Sequence, residues 1–362
     1  MTRNHTWGYL NSGQYSIAGL ADLSAEAMQE YDGVFGDHPD YGVAHFTDFR
    51  QMLEEIKPDV VSVGAWHKGH APLTIATAAR RPKAIICEKP MADSLKAARE
   101  MMTACRRHGV KLVIGHQRRF LPAYTLARQI IEDGEIGEPR LITSVGGDGL
   151  PNYSSHQTDM YRYLLGDVDC EWVMGNVERL TDQWERDTRT EDRALAVFGF
   201  KNGAQAMLLS DLTPEHWQGA RIYGSSGMIE ITTEELRLMN AKTGGSWKLH
   251  QPDGEFFKFG AERFEWVEAG AGQARELAEW LGGQRDSHRG EASHGYKALE
   301  MVHAVYESAR VRERVMLPMK TLDNPLDLMI DSGQLPVRFP GRYDIRAGRL
   351  RGENMTSDAM NA

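Results

Sequence analysis

Four short runs confine the first third of this chain to one kind of architecture: "YSIAGLAD" (15–22), "DVVSVGAW" (59–66), "KAIIC" (83–87) and "VKLVIGH" (110–116). Each is apolar on consecutive positions and not on alternate ones, so a strand made from it has to be covered on both faces. Helical spacing fills the gaps between them. Ser24 reads as the N-cap of "AEAMQEY", and helices follow over 48–56 and 71–80. Another opens on Asp93 or Ser94 and stops at Gly109. Buried strands alternating with helices make a parallel sheet, here an α/β domain of Rossmann type over residues 1–118.

The pattern changes after residue 120. "LPAYTLARQIIEDGEIGEP" reads as a helix closed by a glycine turn, "RLITSVGG" as a strand, and "HQTDMYRYLLGD" (156–167) as one helix. Segments with strand period and Gly or Asn turns then follow, which predicts a large, mainly antiparallel open sheet. Two late helices complete an α+β domain over 119–340. A polar, Gly/Arg-rich tail (341–362) reads as an arm, and "NPLDLMIDSGQLPV" (324–337) as a wrapping segment.

A chain of 362 residues with 41% hydrophobic residues can build two such cores. Its net charge of −9 argues against a nucleic-acid surface, which needs clustered Lys and Arg. The expected partner is a small molecule. Cys87, Cys105 and Cys170 have no C-x-x-C spacing, which points to reduced thiols and a cytoplasmic protein. No apolar run approaches the roughly 18–20 residues of a membrane span, so neither an anchor nor a leader is expected.

In an open parallel sheet, ligands bind beyond the carboxyl ends of the strands. Asp22 stands at one such end, where a carboxylate can accept both ribose hydroxyls of an adenine nucleotide or cap a helix instead. No Arg or Lys follows it within reach to receive a 2′-phosphate, which favours NAD over NADP. Trp66, His67 and His70 fall on the expected loop after the next strand, flanking a cofactor. Two histidines three apart also suit a metal, but no third ligand is near, so no metal is assigned. The third strand ends at Cys87-Glu88-Lys89-Pro90. At a crevice mouth, partial desolvation can bring a lysine towards neutrality for acid–base work on a hydroxyl or carbonyl, whereas a surface Glu-Lys pair would do nothing.

"AIICEKPMADSLKAARE" (84–100) resembles the signature of the Gfo/Idh/MocA oxidoreductases, the glucose–fructose oxidoreductase and inositol dehydrogenase family. "HQRRFLPAYTLARQIIEDGEIGEPRLI" (116–142), "SSHQTDMYRYLLGD" (154–167), "EDRALAVFGFKNGA" (191–204), "GSSGMIEI" (224–231) and "ALEMVHAVYESAR" with "VMLP" (298–317) match family landmarks in order. The resemblance implies hydride transfer between nicotinamide and a carbon of a sugar, sugar acid, glycoside or cyclitol, with the C-terminal sheet often joining a homo-oligomer. It implies that Lys89 binds or polarises the reacting hydroxyl and that His156 accepts its proton. Gln117 and Arg118 would sit near the nicotinamide, and Glu88 beside a cofactor ribose.

Two departures stand out. The family commonly has an aspartate four residues before the histidine, where this chain has Asn152; Asp159, one turn after His156, either substitutes for it or serves as a structural ion-pair partner. A family member also opens on a strand and G-x-G-x-x-G, whereas "RNHTWGYLNSGQ" (3–14) already resembles the first helix. Either the start lies about 15–20 residues too far downstream or the first strand is missing, and weak or absent NAD binding is expected of the chain as it stands. Two other readings fit the same residues: a redox-assisted lyase or glycoside-cleaving enzyme with transiently reduced NAD, and a non-catalytic sugar-binding protein. Tyr153, His216 and Trp217 are plausible pocket walls.

Overall fold

The computed structural model describes residues 2–212, 219–233, 235–250 and 264–346. His216, Trp217 and residues 347–362 of the expected arm lie outside the described residues. The first third runs α1 (Thr2–Ser12), β1 (Ile17–Ala21), α2 (Ala25–Phe35), β2 (Tyr41–Phe46), α3 (Phe49–Ile56), β3 (Val60–Val63), α4 (His67–Ala78), β4 (Ala84–Cys87), α5 (Leu95–His108) and β5 (Lys111–Ile114). Caps fall where the sequence places them. Ser24 accepts from Ala27 N, Ser94 accepts from Ala97 N, and Gly109 ends α5 in the left-handed conformation. β4 is buried at every position, as an all-apolar run requires.

The parallel strands form two separate sheets, β1–β2 and β3–β4–β5. Helix α1 ties them together. Leu10 packs with Tyr31, Phe35, Tyr41 and Ile17 on one side, and Tyr9 packs with Ala84, Ile86 and Val113 on the other. His5 Nδ1 and Tyr9 OH both reach Ser62 Oγ of β3, at 3.2 and 2.8 Å. This helix crosses α8 (Phe264–Leu281) so closely that a Cβ on Gly8 would lie 2.5 Å from the Gly270 carbonyl carbon. Only glycine fits there.

The remaining elements, in order, are α6 (Pro122–Glu132), β6 (Pro139–Gly146), α7 (Ser155–Leu164), β7 (Cys170–Glu178), β8 (Thr181–Glu185), β9 (Thr188–Arg189), β10 (Arg193–Phe200), β11 (Gln205–Ser210), β12 (Gly219–Gly224), β13 (Gly227–Thr232), β14 (Leu236–Asn240) and β15 (Lys248–His250). After α8 come α9 (Ala292–Val311), β16 (Val315–Met316), α10 (Pro325–Asp331) and β17 (Phe339–Asp344). Nine strands make one sheet in the order β15-β14-β13-β12-β6-β11-β10-β7-β16, antiparallel except where β6 meets β11. α6, α7 and α9 cover one face. The other leaves Met174 and Leu195 exposed on β7 and β10.

Two expectations are revised. α4 begins at His67 and not near 71, so His67 and His70 stand on a helical turn; the His70 ring secures it by meeting the carbonyls of Ala65 (2.9 Å) and Pro90 (2.8 Å). The polar arm is structured at its start: β17 pairs in parallel with β8, which in turn pairs with β9. The three cysteines are buried and unpaired. No helix among the described residues is long and apolar enough to cross a membrane.

Candidate active site

β4 delivers its carboxyl end to the crevice as Glu88-Lys89-Pro90, with the Lys89–Pro90 bond cis. Glu88 is 3% exposed and meets His5 Nε2 of α1 at 3.2 Å. Burial raises its carboxyl pKa, but His5 and Lys89 together outweigh that and bring it to about 2. Lys89 is 5% exposed, and its Nζ donates to both the backbone oxygen and Oδ1 of Asn152, each at 2.8 Å. Desolvation pushes the ammonium down; Glu185 and Glu88 hold it up in part, and it comes to about 8.

Asn152 lies on a single π-helical turn, Leu150–Ser154, running straight into α7. Such turns re-aim side chains and recur at functional sites. Three anchors fix this one. Asp211 accepts from the amides of Asp148 (3.0 Å) and Gly149 (3.2 Å). Glu191 accepts from Leu150 N at 2.7 Å. Gly149 has φ +76° and its position faces Thr190 Oγ1 too closely for any Cβ. Glu191 itself is fully buried beneath the turn, bonded by Tyr306 OH, and burial lifts its carboxyl to about 7.

His156, one turn on, is buried with Nδ1 lacking a hydrogen-bond partner among the described residues. Desolvation, helped by Lys89 and Arg118, holds it well below the ordinary imidazole range, so it is neutral at pH 7. The His116 ring stands edge-on to it with centroids 5.9 Å apart. Asp159 turns away from the crevice into a bidentate pair with Arg119, both contacts 2.7 Å and both residues fully buried; His116 Nδ1 lies 3.8 Å from the same carboxylate. Arg119 also bonds Asp167 at 2.8 Å. The 3-10 turn Gln117–Phe120 is thereby fastened to α7.

Lys89, Asn152, His156, Glu88 and Arg118 therefore come together. Arg118 is buried, 4.8 Å over the Tyr153 ring, with Nη1 3.4 Å from Gln157 Oε1. Gln117 is half-buried beside it, and Trp66 caps α4 with its ring partly exposed. His67 Nε2 faces Glu185 Oε2 at 3.6 Å. His70 uses both ring nitrogens on carbonyls, and no cluster of three or more His, Cys, Asp or Glu among the described residues could hold a metal. Asp22 stands apart at the end of β1, exposed, one oxygen accepting from Ser24 N at 2.8 Å. The other oxygen can accept from a ribose hydroxyl. Asp22 and the Lys89 cluster each stand at the carboxyl end of a parallel strand, the position at which such sheets bind nucleotides. His5, His116, Asp148, Glu185, Glu191 and Arg346 belong to the same region, and none was singled out from sequence. "HQRRF" contained His116, and "RYDIR" (342–346) has the period-2 pattern of a strand, but nothing local marks Glu185.

Two outcomes follow from this geometry. Asp159→Asn should lose about 3 kcal/mol in urea unfolding by leaving the buried Arg119 with Asp167 as its remaining carboxylate partner; a loss under about 1 kcal/mol, the range of exposed pairs, would show the pair to be dispensable. Folded Glu191 keeps its proton up to about pH 7, whereas an unfolded glutamate releases it near 4.5. Stability contributed by this group is therefore full below 4.5 and declines as pH rises to about 7. Glu191→Gln should remove that decline, and identical pH dependence of both unfolding free energies would refute it.

Residues 1–116 match the profile described as "Oxidoreductase family, NAD-binding Rossmann fold", and residues 128–317 match its C-terminal alpha/beta domain. The chain is 32% identical over 176 residues to the uncharacterized oxidoreductase YrbE of Bacillus subtilis (strain 168), spanning 45% of this chain and 51% of that protein. It is 25% identical over 226 residues to a myo-inositol 2-dehydrogenase of Thermotoga maritima, spanning 58% of this chain and 66% of that one. The aligned stretch thus covers about half of the first relative and just under two thirds of the second. Levoglucosan dehydrogenase in complex with NADH and levoglucosan superposes with a TM-score of 0.76 at 19% identity, over 88% of this chain and 97% of that one. The chain belongs to the Gfo/Idh/MocA oxidoreductase family, and residues 1–116 form its NAD-binding Rossmann domain.

Proposed function

We propose that this protein is an NAD-dependent oxidoreductase moving hydride between nicotinamide and a hydroxyl-bearing carbon of a sugar, glycoside, sugar acid or cyclitol. The observation that carries the reading is a buried lysine, locked by Asn152 and flanked by a neutral histidine, at the carboxyl end of a parallel strand. The relatives' names, a myo-inositol dehydrogenase among them, support the substrate class. When bound, the nicotinamide supplies the hydride acceptor in oxidation.

In this reading Lys89, still cationic at pH 7, donates to the substrate oxygen and lowers the cost of charge developing there. His156 takes the hydroxyl proton. Its partnerless Nδ1 and its depressed basicity keep it an acceptor at neutral pH. Asn152 aims the lysine: it has already taken two of the three ammonium hydrogens, which leaves one for substrate. Gln117 and Arg118 flank the nicotinamide, Trp66 and His70 line the cofactor side with His67 at its boundary towards Glu185, Glu88 lies beside the near ribose, and Asp22 receives the adenosine ribose. Asp159 acts through Arg119 as a positioning residue. The exposed Met174 and Leu195 support homo-oligomer formation through the open sheet face.

Lys89→Ala and His156→Ala should each cut NAD-coupled turnover by about 10²–10⁴-fold in a fold that stays intact; unchanged turnover in either sinks the assignment, and product cleavage without net NADH would favour the lyase reading. Oxidation by the native chain should weaken above about pH 8, as Lys89 loses its proton, and hold level through pH 6.5. Leu195→Glu should shift the mass in light scattering from oligomer to monomer; a monomeric native chain would exclude the interface.

A further inference from the structure

The polar cluster beyond Lys89 is built from three distant stretches of chain. Glu185 ends β8, His67 opens α4, and Arg346 follows β17. Glu185 Oε1 lies 3.4 Å from Arg346 Nε and Oε2 lies 3.6 Å from His67 Nε2. Glu185 and His67 are 3% and 4% exposed. Glu185 Oε2 and His67 Nδ1 nevertheless have no hydrogen-bond partner among the described residues. Buried polar atoms left without a partner are costly unless something meets them. Two of them side by side, close enough to Lys89 for Glu185 and Arg346 both to act on its charge, mark a place where a ligand belongs.

The segment that brings Arg346 is firmly seated. β17 pairs in parallel with β8 across a register shift between Phe339 and Arg342, Ile345 N donates to Trp184 O at 2.9 Å, and the buried Asp344 accepts from Arg186 N at 2.7 Å. Arg189 and Arg342 both lie over the Trp184 ring, at 5.5 and 4.7 Å. Arg346 itself reaches a second carboxylate, Asp148, at 3.3 Å, in the loop leading to Asn152.

We propose that Glu185, His67 and Arg346 form a subsite for the hydroxyls of a neutral polyol remote from the carbon held by Lys89, so that the C-terminal strand is part of the substrate site. With its Nε2–H turned to Glu185, the neutral His67 offers Nδ1 as an acceptor to one hydroxyl. Glu185 Oε2 offers an acceptor to the next, and the guanidinium beside it supplies donors. The ligand is neutral because Arg346 is already met by two carboxylates and has no spare charge for a third. A sugar acid would face Glu185 and Asp148 unpaired.

This proposal rests on the hydride-transfer reading, so the test separates the two. The full chain, saturated with NAD, is assayed on myo-inositol, D-glucose and D-gluconate, and the NADH-bound protein is titrated with the same three compounds in a thermal-shift assay. Glu185→Gln and Arg346→Ala should raise KM for the neutral compound used by about 10- to 100-fold with NADH affinity unmoved, and Glu185→Gln should in addition move the alkaline fall in kcat below about pH 8, since Glu185 helps hold the Lys89 charge. The double variant Glu185→Gln/Arg346→Met removes both charges together and guards against misfolding from one stranded charge; it should show the same KM loss. Unchanged KM, or a loss that follows NADH affinity, overturns the subsite. If the native chain oxidises none of the compounds, the hydride-transfer reading fails. The subsite is then supported by a thermal shift with myo-inositol or D-glucose that the variants abolish. It is overturned if the variants keep that shift, if D-gluconate alone gives one, or if none of the three does.

Discussion

The Arg119–Asp159 pair is the constraint on which the rest of the site depends. It is fully buried and bidentate, and it joins the turn where the chain leaves the parallel sheet to the helix that carries His156. Because a charge stranded in that interior costs several kcal/mol, the two elements hold one relative position. Everything between them inherits it: the His116 ring against His156, Arg118 against Tyr153, and the π-turn that presents Asn152 to Lys89. Asp167 and Arg128 extend the same network to α6, whose Arg128 Nη1 meets Asp167 at 2.9 Å. The crevice residues are thus positioned by ionic bonds that lie outside the crevice.

The cluster balances two opposed electrostatic needs. In the proposed reading Lys89 stays charged to polarise a hydroxyl and His156 stays neutral to accept a proton, though both are buried within one crevice. Burial lowers both basicities. Glu185 and Glu88 restore part of the lysine's charge and are not among the groups acting on the histidine. Two groups set apart in this way by their surroundings are what a general acid and a general base require.

Much of the fold was legible because the strands of the first domain are apolar on consecutive residues, a pattern with few structural solutions, and because Ser24, Ser94 and Gly109 mark helix ends by local chemistry. Lys89 and His156 were legible from position and resemblance. The onset of α4 was not, since His70 holds that turn through carbonyls of two different loops. The parallel strands lie in two sheets, with α1 packed against both. Glu185 and Arg346 escaped notice because their meaning lies in their meeting: each sits in a polar stretch that reads as surface until the chain has folded.

That meeting joins residues about 160 positions apart and involves nearly the last segment described, so the cleft is closed by what the ribosome delivers late. Domains made earlier in synthesis can fold as they emerge, but β8 has no parallel partner until β17 follows it, and pairings of such long span form slowly. An early-terminated or clipped chain could keep both hydrophobic cores and still lack one wall of the crevice. In the proposed reading, competence for substrate is thereby coupled to the pairing of residues 339–344 with β8.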